Sequence, residues 1–134
     1  MQNWFVQSEG GIFMIRVLIA DDDMDSHELI DDLIEINFRE VEIEHALTKE
    51  SFIKKLGAAS HPFNLILFNL DLDGSGEEGN IGLLKNRYPD LIDRTVFIVS
   101  EQRPVAEQFS GLKVLSRPFS LDHFGEVVHT VCAS

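Results

Sequence analysis

Asp21, Asp22 and Asp23 stand together directly after the apolar run Ile15 to Ala20, and carboxylates grouped where a strand ends are ligands for a hard divalent cation. Mg2+ takes oxygen donors in octahedral geometry and keeps several of its waters, so two carboxylates and a carbonyl are a sufficient protein contribution. Asp21 and Asp22 fit that requirement, and Asp71, with Asp73 near it, could add oxygen donors. The competing reading of an acidic pair in this place is a solvated turn or a helix N-cap. Asn69, Ser100 and Arg117 close later apolar runs. A carboxylate can accept a phosphoryl group, whereas an amide has no anionic oxygen to attack phosphorus. A guanidinium presents a planar fork of donors that suits carboxylates.

Strands must position these side chains. Ile15 to Ala20, Leu65 to Leu70 and Thr95 to Ser100 are short runs rich in apolar and β-branched residues, the pattern of buried strands. Val41 to Leu47 alternates, and Lys113 to Ser116 makes a fifth, shorter strand. Between them, Ser26 to Phe38 sets Leu29, Ile30, Leu33 and Ile34 at helical spacing, and Thr48 caps a helix carrying Phe52, Ile53 and Leu56. A third helix carries Ile81, Leu83 and Leu84 and ends at Tyr88 and Pro89. A short helical stretch covers Val105 to Phe109, and Ser120 caps a last helix with Leu121, Phe124, Val127, Val128 and Val131. Strands alternating with helices predict an α/β doubly wound fold, a five-stranded parallel sheet covered on both faces by right-handed crossovers. In such a sheet ligands bind outside the carboxyl ends of the strands, where strand order reverses. Asp21, Asp22, Asn69, Asp71, Ser100 and Arg117 all fall there.

V-L-I-A-D-D-D at 17–23 resembles the first strand and acidic pair of response-regulator receiver domains, the CheY-like family. L-S-R-P-F at 115–119 resembles their fifth-strand end, where K-P-F is usual. The resemblance spans about Ile15 to Ala133 and implies a flavodoxin-like, three-layer α/β/α architecture. In that family the acidic pair holds a divalent cation and an aspartate ending the third strand accepts a phosphoryl group. A Ser or Thr at the fourth strand responds, and a lysine contacts the phosphoryl oxygens. Carried over, Asp21, Asp22 and Asp71 are metal ligands for weakly held Mg2+, and Ser100 and Arg117 take the switch positions.

The acceptor position departs from the family. F-N-L-I-L-F-N-L at 63–70 aligns with the usual D-L-I-L-L-D-L and puts Asn69 where the acceptor stands. The competing register uses Asp71 and buries Asn69 within the strand, at about 1 to 3 kcal/mol for an unpaired amide. Arg117 replaces the lysine and could instead pair bidentately with Asp22 or another acidic neighbour. Val114 and Leu115 stand where a switch aromatic is common, and the 17-residue step from Ser100 to Arg117 is short for the family. The expectation is a stand-alone receiver of two-component phosphorelay signalling, a pseudo-receiver with Asn69 at the phosphoacceptor position that acts through protein contacts. The alternative is a conventional phosphoacceptor using Asp71. Implied partners are a histidine kinase or another signalling protein, with a homodimer left open. The expected contact face combines the 105–109 stretch, the fifth strand and the last helix, with Val105, Phe109 and Val114 as apolar anchors.

The 134 residues suit one domain, read as 15–134 after an N-terminal extension at 1–14, with Met1 and Met14 both open as the start. A net charge of -12 repels phosphate backbones and anionic lipid, so neither nucleic acid nor membrane is an expected partner. No apolar run approaches the length that crosses a bilayer. Cys132 is the single cysteine, which excludes an intramolecular disulfide and favours the cytoplasm. Enzyme chemistry is not expected. There is no nucleophile elbow or glycine-rich phosphate loop, and His27, His45, His61, His123 and His129 show no ligand-pair spacing.

Overall fold

Runs dense in Ile, Val, Leu and Phe become interior strands only if both of their faces are covered. The computed structural model describes residues 7–8, 11–12, 14–59, 62–72, 76–99 and 111–133. In it β1 (Ile15–Ala20), β2 (Val41–Ala46), β3 (Leu65–Asn69), β4 (Thr95–Val99) and β5 (Lys113–Ser116) form one parallel sheet, ordered β2-β1-β3-β4-β5. The chain starts near the middle, steps outward to β2 and returns past β1 to β3, so strand order reverses between β1 and β3. Register aligns the strand ends: Ala20 pairs with Phe68, Asn69 with Ile98 and Val99 with Ser116. Residues just past β1, β3 and β5 therefore share one edge.

Side-chain alternation divides the strands between two cores. Val17, Ile19, Leu65, Leu67, Val96 and Ile98 face α1 (Met24–Asn37) and α4 (Leu121–Ala133), meeting Ile30, Ile34, Phe124 and Val128. Leu18, Ile66, Phe68 and Phe97 face the opposite way, toward Phe52 of α2 (Lys49–Ala58) and Ile81 and Leu84 of α3 (Gly76–Arg87). This is the expected doubly wound, three-layer arrangement. Thr48 caps α2 through a capping box with Ser51, and Ser120 accepts the His123 amide at the start of α4.

Several expectations need correction. α1 begins at Met24 instead of Ser26, because the Asp23 carboxylate accepts the Asp25 amide and caps the helix earlier. Leu29 and Leu121 are half exposed, since the buried stripe of α1 runs through Ser26, His27, Ile30 and Ile34 and that of α4 through Phe124, Val128 and Val131. β2 and β3 each stop one residue short of the expected end. A 3-10 turn, Pro89–Arg94, follows α3 before β4. Gln7–Ser8 and Gly11–Ile12 form a short antiparallel ladder within the expected extension. Ser100 and the 105–109 stretch lie outside the described residues. Among the described residues no helix is long and apolar enough to cross a membrane.

Where α1 ends against α4, Asn37 donates to the Leu33 carbonyl at 2.8 Å and accepts from His129 Nε2 at 3.1 Å. A Cβ at position 125 would sit 2.7 Å from Asn37 Oδ1, so Gly125 permits this approach. Burial holds the His129 imidazole below its ordinary value of 6.5. The unfolded chain then takes up the proton first as pH falls, so this group's stabilisation is present above 6.5 and is lost as pH drops toward the folded value. Urea midpoints measured from about pH 7.5 down to pH 5 should therefore fall less steeply in His129→Gln, which keeps an N–H donor, than in wild type. Parallel profiles would contradict this.

Candidate functional site

Asp21 leaves β1 with its side chain turned inward and only 1% of its surface exposed. Its Oδ1 accepts the Asp23 amide at 2.9 Å and Asn69 Nδ2 at 3.2 Å, and its Oδ2 accepts Arg117 Nη2 at 3.3 Å. Arg117 Nη1 donates to Ser26 Oγ at 2.8 Å. Both carboxylate oxygens are thus engaged by donors from three separate places in the chain. The orientation of Asn69 follows from its neighbours. Its oxygen accepts the Asp71 amide at 2.9 Å, which leaves the NH2 group for the carboxylate.

Local structure explains each placement. β3 ends at Asn69, whose side chain lies at the sheet edge beside Asp21, while the Leu70 amide still bonds to the Ile98 carbonyl. Asp71 lies in the following turn, half buried. The Arg117 amide bonds to the Val99 carbonyl, carrying the β4 and β5 pairing one residue past β5, and the Arg117–Pro118 peptide is cis. Ser26 sits on the buried face of the first turn of α1, and His27 beside it donates from Nε2 to the Asp21 carbonyl at 2.7 Å. A carbonyl only accepts, so that nitrogen carries the proton. The His45 ring stands edge-on to His27 with centroids 4.8 Å apart, and His45 Nε2 meets Asp31 at 2.7 Å.

The structure brings together Asp21, Asn69 and Arg117 of the expected set. Arg117 pairs with Asp21 and not with Asp22, because consecutive residues leaving a strand point opposite ways and Asp22 is exposed. Its fork is split between a carboxylate and a hydroxyl instead of closing bidentately on one partner. Ser100, Asp73, Val105 and Phe109 lie outside the described residues, and Val114 is half buried against the core facing α2 and α3. The sequence reading missed Ser26, His27 and Asn80. Buried Asn80 of α3 donates to the carbonyls of Leu70 and Leu72 and so holds the turn after β3. A polar residue on the inward stripe of a helix is the signal that could have found all three.

Receiver domains generally bind Mg2+ at the acidic pocket. The oxygens that would hold the ion are, as placed, taken up largely by donors of the chain itself. Asp21 already receives three hydrogen bonds, the Asn69 oxygen is turned to Asp71, and Asp22 is in solvent. Among the described residues no group of three His, Cys, Asp or Glu could hold a metal. The cation neighbouring Asp21 is the guanidinium of Arg117.

No protein-family model and no curated protein matches the chain. Solved structures do match. A two-component response regulator from Cytophaga hutchinsonii is 18% identical and superposes with a TM-score of 0.70, over 90% of this chain and 98% of that one. A CheY-like receiver domain protein from Methanospirillum hungatei JF-1 is 21% identical with a TM-score of 0.69, over 90% and 94%. A receiver domain protein from Clostridium thermocellum reaches 0.73 at 11% identity, over 90% and 95%. The chain has the five-stranded, all-parallel, flavodoxin-like fold of these receiver domains.

Removing Arg117 leaves a buried carboxylate short of its counter-charge. Arg117→Ala should lower unfolding free energy by about 1 to 3 kcal/mol in urea denaturation, the cost of an unsatisfied buried polar group. Asp22→Ala, at an exposed position, should stay within about 0.5 kcal/mol. Similar losses in both variants would contradict the assignment of the pair.

Proposed function

We propose that the chain is a pseudo-receiver of two-component signalling, a module that acts by protein contact and takes no phosphoryl group on an aspartate. Likeness to receiver domains over nine-tenths of the chain supports the signalling class. One observation carries the finer reading: the strand-end residue beside Asp21 is the amide of Asn69, and Arg117 is already bonded to that same carboxylate. Phosphoryl transfer to a receiver needs an anionic oxygen at that place and a cation free to meet the incoming charge. Here the oxygen is missing and the cation is engaged. Asp71 would be the acceptor in a conventional receiver, but it lies beyond the strand end with its amide bonded to Asn69. Ser100 remains the candidate for the hydroxyl position. The partner class is a histidine kinase or another signalling protein in the cytoplasm, and no enzymatic turnover is assigned.

Mg2+, in this reading, is a weak ligand that binds through Asp21 and Asp22 only by displacing the guanidinium. Titration of Mg2+ followed by amide shifts should give tighter binding in Arg117→Ala than in wild type and a loss in Asp22→Ala. Equal affinity in wild type and Arg117→Ala would contradict competition between the two cations.

Incubation with acetyl phosphate and Mg2+ should leave the wild-type protein without a hydroxylamine-labile acyl phosphate. Asn69→Asp restores an oxygen nucleophile beside Asp21 and should give partial labelling. Adding Arg117→Lys should increase it, because a compact ammonium meets the phosphoryl oxygens better than an engaged fork. Wild-type labelling that disappears in Asp71→Asn would establish the conventional reading in its place.

A further inference from the structure

Ile36 near the end of α1 is 66% exposed and Leu121 at the start of α4 is 50% exposed, and both line one open groove of about 580 Å3 between those helices. Apolar side chains of this size that gather in a concave, solvent-facing site mark a contact surface. Charge on the two helices themselves is one-sided, with the cations Arg39 just past α1 and Lys113 of β5 at the margins. α1 carries five carboxylates and α4 two, and neither helix contains a lysine or an arginine. Asp122 and Glu126 of α4 form the groove's own acidic rim. His129 also lines it, bonded to Asn37 and held below its ordinary value by burial, so it adds no positive charge at neutral pH. The opposite layer is mixed in charge, with Lys49, Lys54 and Lys55 beside Glu50 on α2 and with Glu77, Glu78, Lys85 and Arg87 in the sequence of α3.

We infer that the α1–α4 groove docks a basic amphipathic helix of a partner protein. Ile36 and Leu121 receive its apolar stripe, and Asp122 and Glu126 meet its lysines or arginines. A helix suits the site because a third helix packs its ridges into the furrow between two others, the helix-in-groove mode of recognition. A second copy of this chain does not suit it, since a two-fold pairing of this face would oppose carboxylates to carboxylates. The inference gives the contact-module reading a surface, and it does not depend on Asn69 or Arg117. The phosphorylation result and the groove result can therefore fail separately.

The test uses the full chain, labelled with 15N, and a synthetic peptide of leucine and lysine arranged as an amphipathic helix. A scrambled peptide of the same composition is the control for charge alone. Amide shifts should centre on Asn37, Gly125 and Thr130, and the scrambled peptide should bind about tenfold more weakly. The double variant Ile36→Ser with Leu121→Ser should also lose about tenfold. Leu29→Ser, at an exposed α1 position outside the groove, should match wild type. Three results would each overturn the inference: shifts centred elsewhere, equal binding of the scrambled peptide, or equal loss in Leu29→Ser. So would sedimentation showing a wild-type dimer that the double variant dissociates, since a second copy would then be the occupant.

Discussion

A carboxylate taken almost wholly out of water must be paired, and Asp21 is paired by residues that are remote from it in sequence. Asn69 lies 48 positions away and Arg117 lies 96 away. They meet because the sheet reverses its order between β1 and β3 and aligns the strand ends in register. The dependence also runs the other way. With one charge satisfied from the ends of β3 and β5 and from the α1 cap, the pocket fastens three strands and a helix at one edge of the sheet. Breaking a buried pair costs more than the pair's net worth, so this contact constrains the whole edge.

The residues at 69 and 117 make physical sense together. A carboxylate at position 69 would repel Asp21 at hydrogen-bond distance, and a bound cation would be needed to relieve that repulsion. The Asn69 amide donates to Asp21 instead, and Arg117 supplies the positive charge from within the chain. The Asp21 charge is thus balanced from within the chain, and a metal or a phosphoryl group would have to compete with Arg117 for it. The geometry of the pocket is set at folding. In the proposed reading what varies is the partner that binds, which moves interest to surfaces such as the acidic layer of α1 and α4.

Much of this was legible in the sequence, for identifiable reasons. Continuous apolar runs such as Thr95 to Val99 become interior strands, because only a sheet covered on both faces buries every residue of the run. Thr48 could be read as a cap from its position before an apolar-periodic segment. The register of F-N-L-I-L-F-N-L put Asn69 at the acceptor position in a strand read as Leu65 to Leu70, and β3 ends at Asn69, one residue earlier. Helix phase was harder to read. A cluster such as Leu29, Ile30, Leu33 and Ile34 spans more than one face, and packing against β1 and β3 selected the stripe through Ile30 and Ile34. The partner of Arg117 was also hidden, because choosing between Asp21 and Asp22 requires knowing which of two adjacent side chains points inward. Ser26 and His27 were passed over, since nothing local to the sequence reveals that the sheet edge faces them.

Beryllofluoride coordinates an aspartate oxygen and mimics a phosphoryl group only where that oxygen is free and a metal completes the site. The most direct measurement is the 15N–1H spectrum of the wild-type chain in Mg2+, recorded before and after addition of beryllium and fluoride salts. If Asn69 and Arg117 close the pocket, the amides of Asp21, Asp23, Asn69, Asp71 and Arg117 stay where they are, and Asn69→Asp restores a response. A saturable shift of those amides in the wild-type protein would show an open acceptor site and contradict the account.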